Sequence, residues 1–158
     1  MRATLPTGWW DSWRSRARSV RDCGRHTPRQ SKENTVKFMC LAYEEEAKLN
    51  ALSPSEWAAL RDETIAYVET LRASGRLVVT HALQSRRKAA TVRVRAGRPS
   101  VTDGPFAEAK EVIGGFFVIE ARDREEAVEV ASRWPSARLG AIEVRPIEEA
   151  LPTARRYM

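Results

Sequence analysis

The sequence predicts an α+β fold of the split β-α-β, ferredoxin-like type, in which an antiparallel sheet carries two helices on one face. Two observations lead to it: the order of predicted elements, β-α-β-β-(β)-β-α-β, and the size and composition of the chain. The 158 residues, 42% of them hydrophobic, suffice for one ordinary domain that needs no disulfides. No apolar run approaches the roughly 18–20 residues that cross a bilayer, so we expect no membrane span.

The first half of the domain alternates strand, helix and strand. Val36–Tyr43 is apolar at nearly every position, which is typical of a strand covered on both faces. Ser53 and Glu56 flank Pro54 as a capping box that begins a helix, and Gly75 can end it in the left-handed conformation. The predicted buried stripe of this helix comprises Trp57, Leu60, Thr64, Val68 and Leu71.

The second half repeats this pattern after a group of short strands. Alternation predicts strands at Leu77–Leu83 and Ala90–Arg95, a short one near Val101, and an apolar one at Gly115–Ala121. In the first of these, Leu77, Val79, His81 and Leu83 share one face. A second helix begins at Asp123, where Glu126 completes a capping-box-like pair, and Pro135 ends it. Leu139–Ile147 is the last predicted strand.

The two predicted helices can cover only one face of the sheet. The strands at 36–43 and 115–121 are too apolar on both faces to leave the other face in water. We therefore expect two copies to pack sheet against sheet as a homodimer.

The basic residues are unevenly distributed along the chain. Residues 1–34 carry eight basic and three acidic side chains, whereas residues 35–158 carry nineteen and eighteen, so most of the net charge of +6 belongs to the first fifth. We expect a basic, disordered extension at 1–34, one domain at 35–149 and a tail at 150–158. A Trp/Arg-rich extension can contact phosphates or an anionic membrane, but an unselected extension is the favoured interpretation. The near-neutral domain gives no reason to expect nucleic-acid binding.

Cysteine and histidine usage is sparse. Cys23 and Cys40 form neither a Cys-x-x-Cys pair nor a disulfide framework, which fits a reducing cytoplasm. His26 and His81 have no partners at ligand spacing, so we expect no metal site. The sequence has no phosphate-binding glycine loop, dinucleotide fingerprint or nucleophile elbow, and we therefore expect no cofactor.

The loop at 103–111 has a distinctive composition. Asp103 can accept backbone amide hydrogen bonds, Gly104 permits a positive φ, Pro105 fixes the exit direction, and Phe106 can anchor the loop in a pocket. The following Gly114-Gly115 pair allows a bulge or a close backbone approach where the next strand begins.

The segment DGPFAEAKEVIGGFFVIEA, followed by a capped helix and EVRPI, resembles the DGPF branch of the YCII-related family. The resemblance runs from about Val36 to Ile147. It implies a dimeric α/β barrel built from two ferredoxin-like protomers. It also implies that some relatives lie beside, or are fused to, extracytoplasmic-function sigma factors. More distant relatives are enzymes on small aromatic compounds with a proposed His–Asp pair, whose histidine motif is not evident near the first helix here.

Two sets of candidate site residues follow. The catalytic hypothesis pairs His81 with Asp103, because an imidazole can move protons and a carboxylate can fix its tautomer. The alternative is a strand histidine that packs among its neighbours and an aspartate that only forms a turn. The ligand-binding candidates are Tyr43, Asp103, Gly104, Pro105, Phe106, Lys110, Glu111 and Arg145. Arg145 needs an anion, which Asp103, Glu111 or a ligand carboxylate can supply.

Two classes of function remain open. The first is a homodimeric module that binds a small ligand or another protein, with a link to transcriptional regulation through the sigma-factor association. The alternative is a cofactor-free enzyme that uses proton transfer on a small anionic or aromatic substrate. Arg86-Arg87-Lys88 is interpreted as a solvated hairpin tip rather than a phosphate site.

Overall fold

The computed structural model describes residues 35–150, so the predicted extension at 1–34 and nearly all of the predicted tail lie outside the described residues. The strands are β1 (Val36–Glu44), β2 (Leu77–Ala82), β3 (Ala90–Arg95), β4 (Arg98–Asp103), β5 (Val112–Ala121) and β6 (Ala141–Pro146). The helices are α1 (Glu46–Asn50), α2 (Pro54–Ala73) and α3 (Arg124–Ser132). Two short 3-10 turns occupy Arg86–Lys88 and Pro135–Arg138.

Four of the strands form one antiparallel sheet in the order β2-β5-β1-β6. Helices α2 and α3 both pack on one face of this sheet, so the predicted α+β, ferredoxin-like fold is confirmed. The prediction of an extra strand near Val101 is also confirmed, since it is β4. Strands β3 and β4 pair with each other as a separate two-stranded sheet. We call residues 90–103 the ribbon.

The core lies between the sheet and the two long helices. Phe117 of β5 is fully buried and stacks on Trp134, with ring centroids 4.0 Å apart and planes at 10°. Tyr67 of α2 meets the same indole edge-on at 6.2 Å, and its hydroxyl donates to the carbonyl of Val130 at 2.7 Å. The stack joins the sheet to the segment after α3, and the hydroxyl joins the two helices.

Helix α2 has the predicted ends. The Ser53 hydroxyl accepts from the Glu56 amide at 3.3 Å and the Glu56 carboxylate accepts from the Ser53 amide at 2.7 Å, which completes the capping box. Gly75 follows the helix at φ 73°. The predicted stripe is wrong at its first member, because Trp57 is 43% exposed whereas Leu60, Val68 and Leu71 are buried.

Helix α3 begins as predicted at Asp123, whose carboxylate accepts from the Glu126 amide at 2.8 Å. The reciprocal half of the predicted box is not formed. The Glu126 carboxylate instead accepts from the Arg122 amide at 2.8 Å and pairs with Arg76 at 2.7 Å. The helix ends at Ser132, before the predicted Pro135, and the 3-10 turn then delays the last strand to Ala141.

Two register shifts decide which side chains face the helices. A bulge between Leu77 and Val79 places Leu77 opposite Ile119 on the helix side and Val79 opposite Val118 on the other side. The prediction that Leu77 and Val79 share a face is therefore wrong, because one extra residue reverses the alternation. A second bulge, at Ala42/Tyr43 of β1, lies opposite Gly114, where the predicted Gly-Gly irregularity occurs.

Candidate functional site

The sheet face that the helices do not cover is the main candidate site. We call it the open face. Strand register assigns to it Met39, Leu41, Tyr43, Val79, His81, Phe116, Val118, Glu143 and Arg145. Its floor is apolar, and Val118 at its centre is only 6% exposed. Polar and charged side chains lie along the edge made by β1 and β6, so the face combines an apolar floor with a charged margin.

Tyr43, Glu143 and Arg145 form that charged margin. The Arg145 Nε lies 3.6 Å from the Glu143 carboxylate. Hydrogen bonding to Glu143 is the main cause that raises the pKa of the Tyr43 hydroxyl, burial adds to the rise, and the nearby Arg145 charge opposes it. Tyr43 therefore stays protonated at neutral pH and remains a hydrogen-bond donor.

Glu143 is the residue that sequence reasoning missed. Arg145 was expected to find its anion in Asp103, Glu111 or a ligand, but its partner within the described chain is the carboxylate two residues earlier on the same strand face. The i, i+2 spacing of opposite charges in a strand was the available signal, because such residues share a face wherever the strand has no bulge.

The two catalytic candidates lie in different sheets. His81 is on β2, and its ring lies 5.7 Å from that of Phe116 across the open face. Asp103 ends β4 in the ribbon, opposite Ala90. A catalytic His81–Asp103 pair therefore stays a prediction. The expectation that Asp103 accepts backbone amides is wrong within the described residues, where the amide of Gly104 donates to Ala89 instead, at 2.8 Å.

The 104–106 segment folds against the ribbon. Gly104 adopts φ 103°, a conformation that glycine favours, and its carbonyl accepts from the Thr91 hydroxyl at 3.0 Å. Phe106 is 78% exposed, so the prediction that it anchors the loop in a pocket is wrong. Its ring instead lies beneath the guanidinium of Arg93, 5.3 Å from the centroid, in a cation–π contact.

The remaining candidates are distributed between two shallow clefts. Gly104 and Pro105 line the first, together with Arg86, whose guanidinium donates to the Ala109 carbonyl at 2.7 Å. Glu111 lines the second, beside Lys48, Arg138, Leu139 and Gly140. Lys110 pairs with Glu45 at 3.5 Å. Of the predicted ligand-binding residues, the structure brings Tyr43 and Arg145 together in one cluster.

Buried polar groups offer little further chemistry. Burial raises the pKa of the Cys40 thiol to about 12, so Cys40 is not a nucleophile at neutral pH. Burial also raises the pKa of Glu44, against a weaker opposing effect of Ser136.

Within residues 35–150 no three His, Cys, Asp or Glu side chains gather in a way that could hold a metal ion. In the same range no helix is long and apolar enough to cross a membrane.

Comparison with known proteins agrees with this architecture. The model of the YCII-related domain matches residues 36–150. An uncharacterized protein of Rhizobium meliloti (strain 1021) is 33% identical over 112 residues, which cover 70% of this chain and 90% of that protein. The matched region contains every strand and helix described above. The chain therefore belongs to the YCII-related family.

Proposed function

We propose that this protein is a homodimeric module that binds a small organic anion on the open face of its sheet. One observation carries the proposal: Tyr43, Glu143 and Arg145 form a charged cluster at the margin of an otherwise apolar surface. An apolar floor with a few convergent polar groups is the usual composition of a small-ligand site. The ligand would place its apolar body on Leu41 and Phe116 and its carboxylate at Arg145.

The cluster suits a carboxylate for electrostatic reasons. Arg145 presents a fork of donors that matches a carboxylate, and its side chain is 62% exposed in the single copy. The Nε–carboxylate separation of 3.6 Å is too long for a good hydrogen bond to Glu143. A bound carboxylate would therefore take the better geometry at Arg145, while the Tyr43 hydroxyl stays bonded to Glu143.

The second copy supplies the rest of the enclosure. Because α2 and α3 cover only one face, the apolar open face of one copy would pack over that of the other, as the family resemblance implies. We expect a dimer in sedimentation experiments at micromolar concentration. Leu41→Asp, which buries charge in that interface, should give monomers, whereas the exposed Asp62→Asn should not. A monomeric wild type would refute the dimer.

A thermal-shift screen of small aromatic and aliphatic acids tests the ligand. We expect some acids to raise the melting temperature of the wild type and to lose that effect in Arg145→Gln. Arg133→Gln is the matched control, because Arg133 also pairs with a nearby glutamate, Glu129, but caps the end of α3 on the helix side of the sheet. If no acid stabilises the wild type, or if both variants respond like the wild type, the anion site is refuted.

A proton-transfer enzyme is the second candidate. His81 favours it, because this histidine lies on the same face as Tyr43. NMR of any stabilising acid incubated with protein distinguishes the two: conversion by the wild type but not by His81→Gln indicates an enzyme, and no conversion favours the binding module. A connection with sigma factors stays a proposal that rests on the family resemblance.

A further inference from the structure

The near-neutral charge of the domain conceals a strong local imbalance. Residues 86–103, which comprise the ribbon and the 3-10 turn before it, contain six basic residues and one carboxylate, a net charge of +5. The rest of residues 35–158 holds thirteen basic and seventeen acidic residues, a net charge of −4. The excess of basic over acidic residues is therefore confined to this one segment.

Ion pairs also distinguish residues 86–103 from the rest of the domain. Of the seventeen lysines and arginines in residues 35–150, eleven pair with a carboxylate. The six that have no such partner in this part of the chain are Arg87, Lys88, Arg93, Arg95, Arg98 and Arg124. Five of these six lie between residues 87 and 98, so the cations without a carboxylate partner are concentrated in one short segment.

The ribbon separates its side chains by type. Register places Arg93 opposite Ser100 and Arg95 opposite Arg98, so that these residues share a face with Thr91 and Thr102. That face bears no carboxylate. The opposite face carries Val92, Val94 and Val101, which are 62% to 66% exposed. One face is therefore cationic, and the other is mainly apolar with Asp103 at its end.

Arg95 and Arg98 oppose each other across the tightest point of the ribbon. They flank the turn Ala96-Gly97, in which both residues have positive φ, at 49° and 72°. Like charges placed directly opposite in a hairpin repel each other, and an alanine with positive φ adds strain. An external anion between the two guanidinium groups would remove the repulsion.

We infer that the basic face of the ribbon binds the phosphate backbone of a nucleic-acid duplex. A two-stranded ribbon fits into a major groove, and arginine side chains are common donors to phosphates. An anionic membrane fits less well, because membrane-binding surfaces place a broad apolar area beside their cations, whereas here the three valines lie on the opposite face and the apolar group that contacts Arg93 is the single ring of Phe106. The domain contributes this surface independently of the ligand site on the open face.

Fluorescence anisotropy with a labelled duplex tests the inference on the full chain at several salt concentrations. The variant Arg95→Gln/Arg98→Gln removes two ribbon charges. Arg61→Gln/Arg72→Gln is the control, because it removes two exposed arginines from α2 and gives the same net charge. All three proteins keep residues 1–34, so any contribution of that basic segment is common to them.

We expect the ribbon variant to bind more weakly and with a smaller salt dependence than the control. Each phosphate contact contributes about 0.9 to the slope of log Kd against log salt, so between about 50 and 200 mM salt the control should lose about 12-fold more affinity than the ribbon variant. Equal affinities and equal slopes for the two variants would overturn the inference. The inference is also overturned if polyglutamate displaces the labelled duplex as well as unlabelled duplex does at equal charge. A third contrary result is that Arg95→Gln/Arg98→Gln weakens binding to phosphatidylglycerol vesicles but not to the duplex.

Discussion

Phe116 and Phe117 are neighbours in β5 that face opposite sides of the sheet, and they allow the core to be tested directly. Phe117 is fully buried and stacks on Trp134, whereas Phe116 lies half-buried on the open face. Phe117→Ala should cost about 3–5 kcal/mol, because it removes a buried ring and leaves a cavity. The lost aromatic contact accounts for about 0.5–1.5 kcal/mol of that cost. Phe116→Ala removes a partly solvated ring and should cost about 1–2 kcal/mol.

Urea unfolding followed by circular dichroism measures both variants. Domains of this kind have a free energy of unfolding of about 5–15 kcal/mol, so a loss of about 3–5 kcal/mol in the Phe117 variant is a large and readily measured fraction of it. The experiment should be repeated at several protein concentrations, since a dimer through the open face makes the cost of Phe116→Ala depend on concentration. The assignment of the two faces would be refuted if, at the lowest concentration, Phe116→Ala costs as much as Phe117→Ala.

Three further changes test separate parts of the structure. Ser53→Ala removes the N-cap of α2 and should lower the free energy of unfolding by about 1 kcal/mol; an unchanged thermal midpoint would contradict the capping box. Gly140→Ala should lower the free energy of unfolding in urea by about 1–3 kcal/mol, because the alanine methyl group would overlap the Tyr43 carbonyl. The hydrogen bond from the Arg122 amide is the main cause that lowers the pKa of Glu126 below its ordinary 4.5. The ionised Glu126 carboxylate therefore stabilises the folded state above pH 4.5, and this stabilisation is lost as the pH falls through the lower pKa of the folded state. The stability difference between wild type and Glu126→Gln should therefore be largest near neutral pH and vanish in acid, and a difference independent of pH would contradict the assignment.

Local signals in the sequence were sufficient for the main elements. Ser53, Pro54 and Gly75 define the ends of α2 through hydrogen bonds and dihedral preferences within a few residues, and these signals do not depend on the rest of the fold. The strand at Val36 was found because nearly every position of its short run is apolar, as in a strand covered on both faces. The order of these elements then left one plausible sheet topology.

The wrong predictions concern features that tertiary structure determines, such as the burial of a side chain or the face of a strand on which it lies. Periodicity identifies the face of α2 but not where the sheet beneath it ends, so Trp57 was predicted to be buried and is exposed. The bulge after Leu77 reverses the alternation and leaves no mark in the residue types. Phe106 is apolar, yet its position is set by the guanidinium of Arg93 rather than by a pocket. The candidate site was only half predicted: Tyr43 and Arg145 were singled out, whereas Glu143, two residues before Arg145 on the same strand, was not.

The net charge of the domain does not predict the charge of each part of its folded surface. Residues 35–158 carry nineteen basic and eighteen acidic groups, from which no anion-binding surface would be expected. Mobile ions at physiological strength screen exposed charges beyond about 8 Å, so an anion at the tip of the ribbon is influenced mainly by the residues beside it. The carboxylates that balance the total include Glu63 and Glu129, which are already paired with arginines on the helical side of the domain. They therefore do not neutralise Arg95 and Arg98, and a neutral average is compatible with a cationic face on the ribbon.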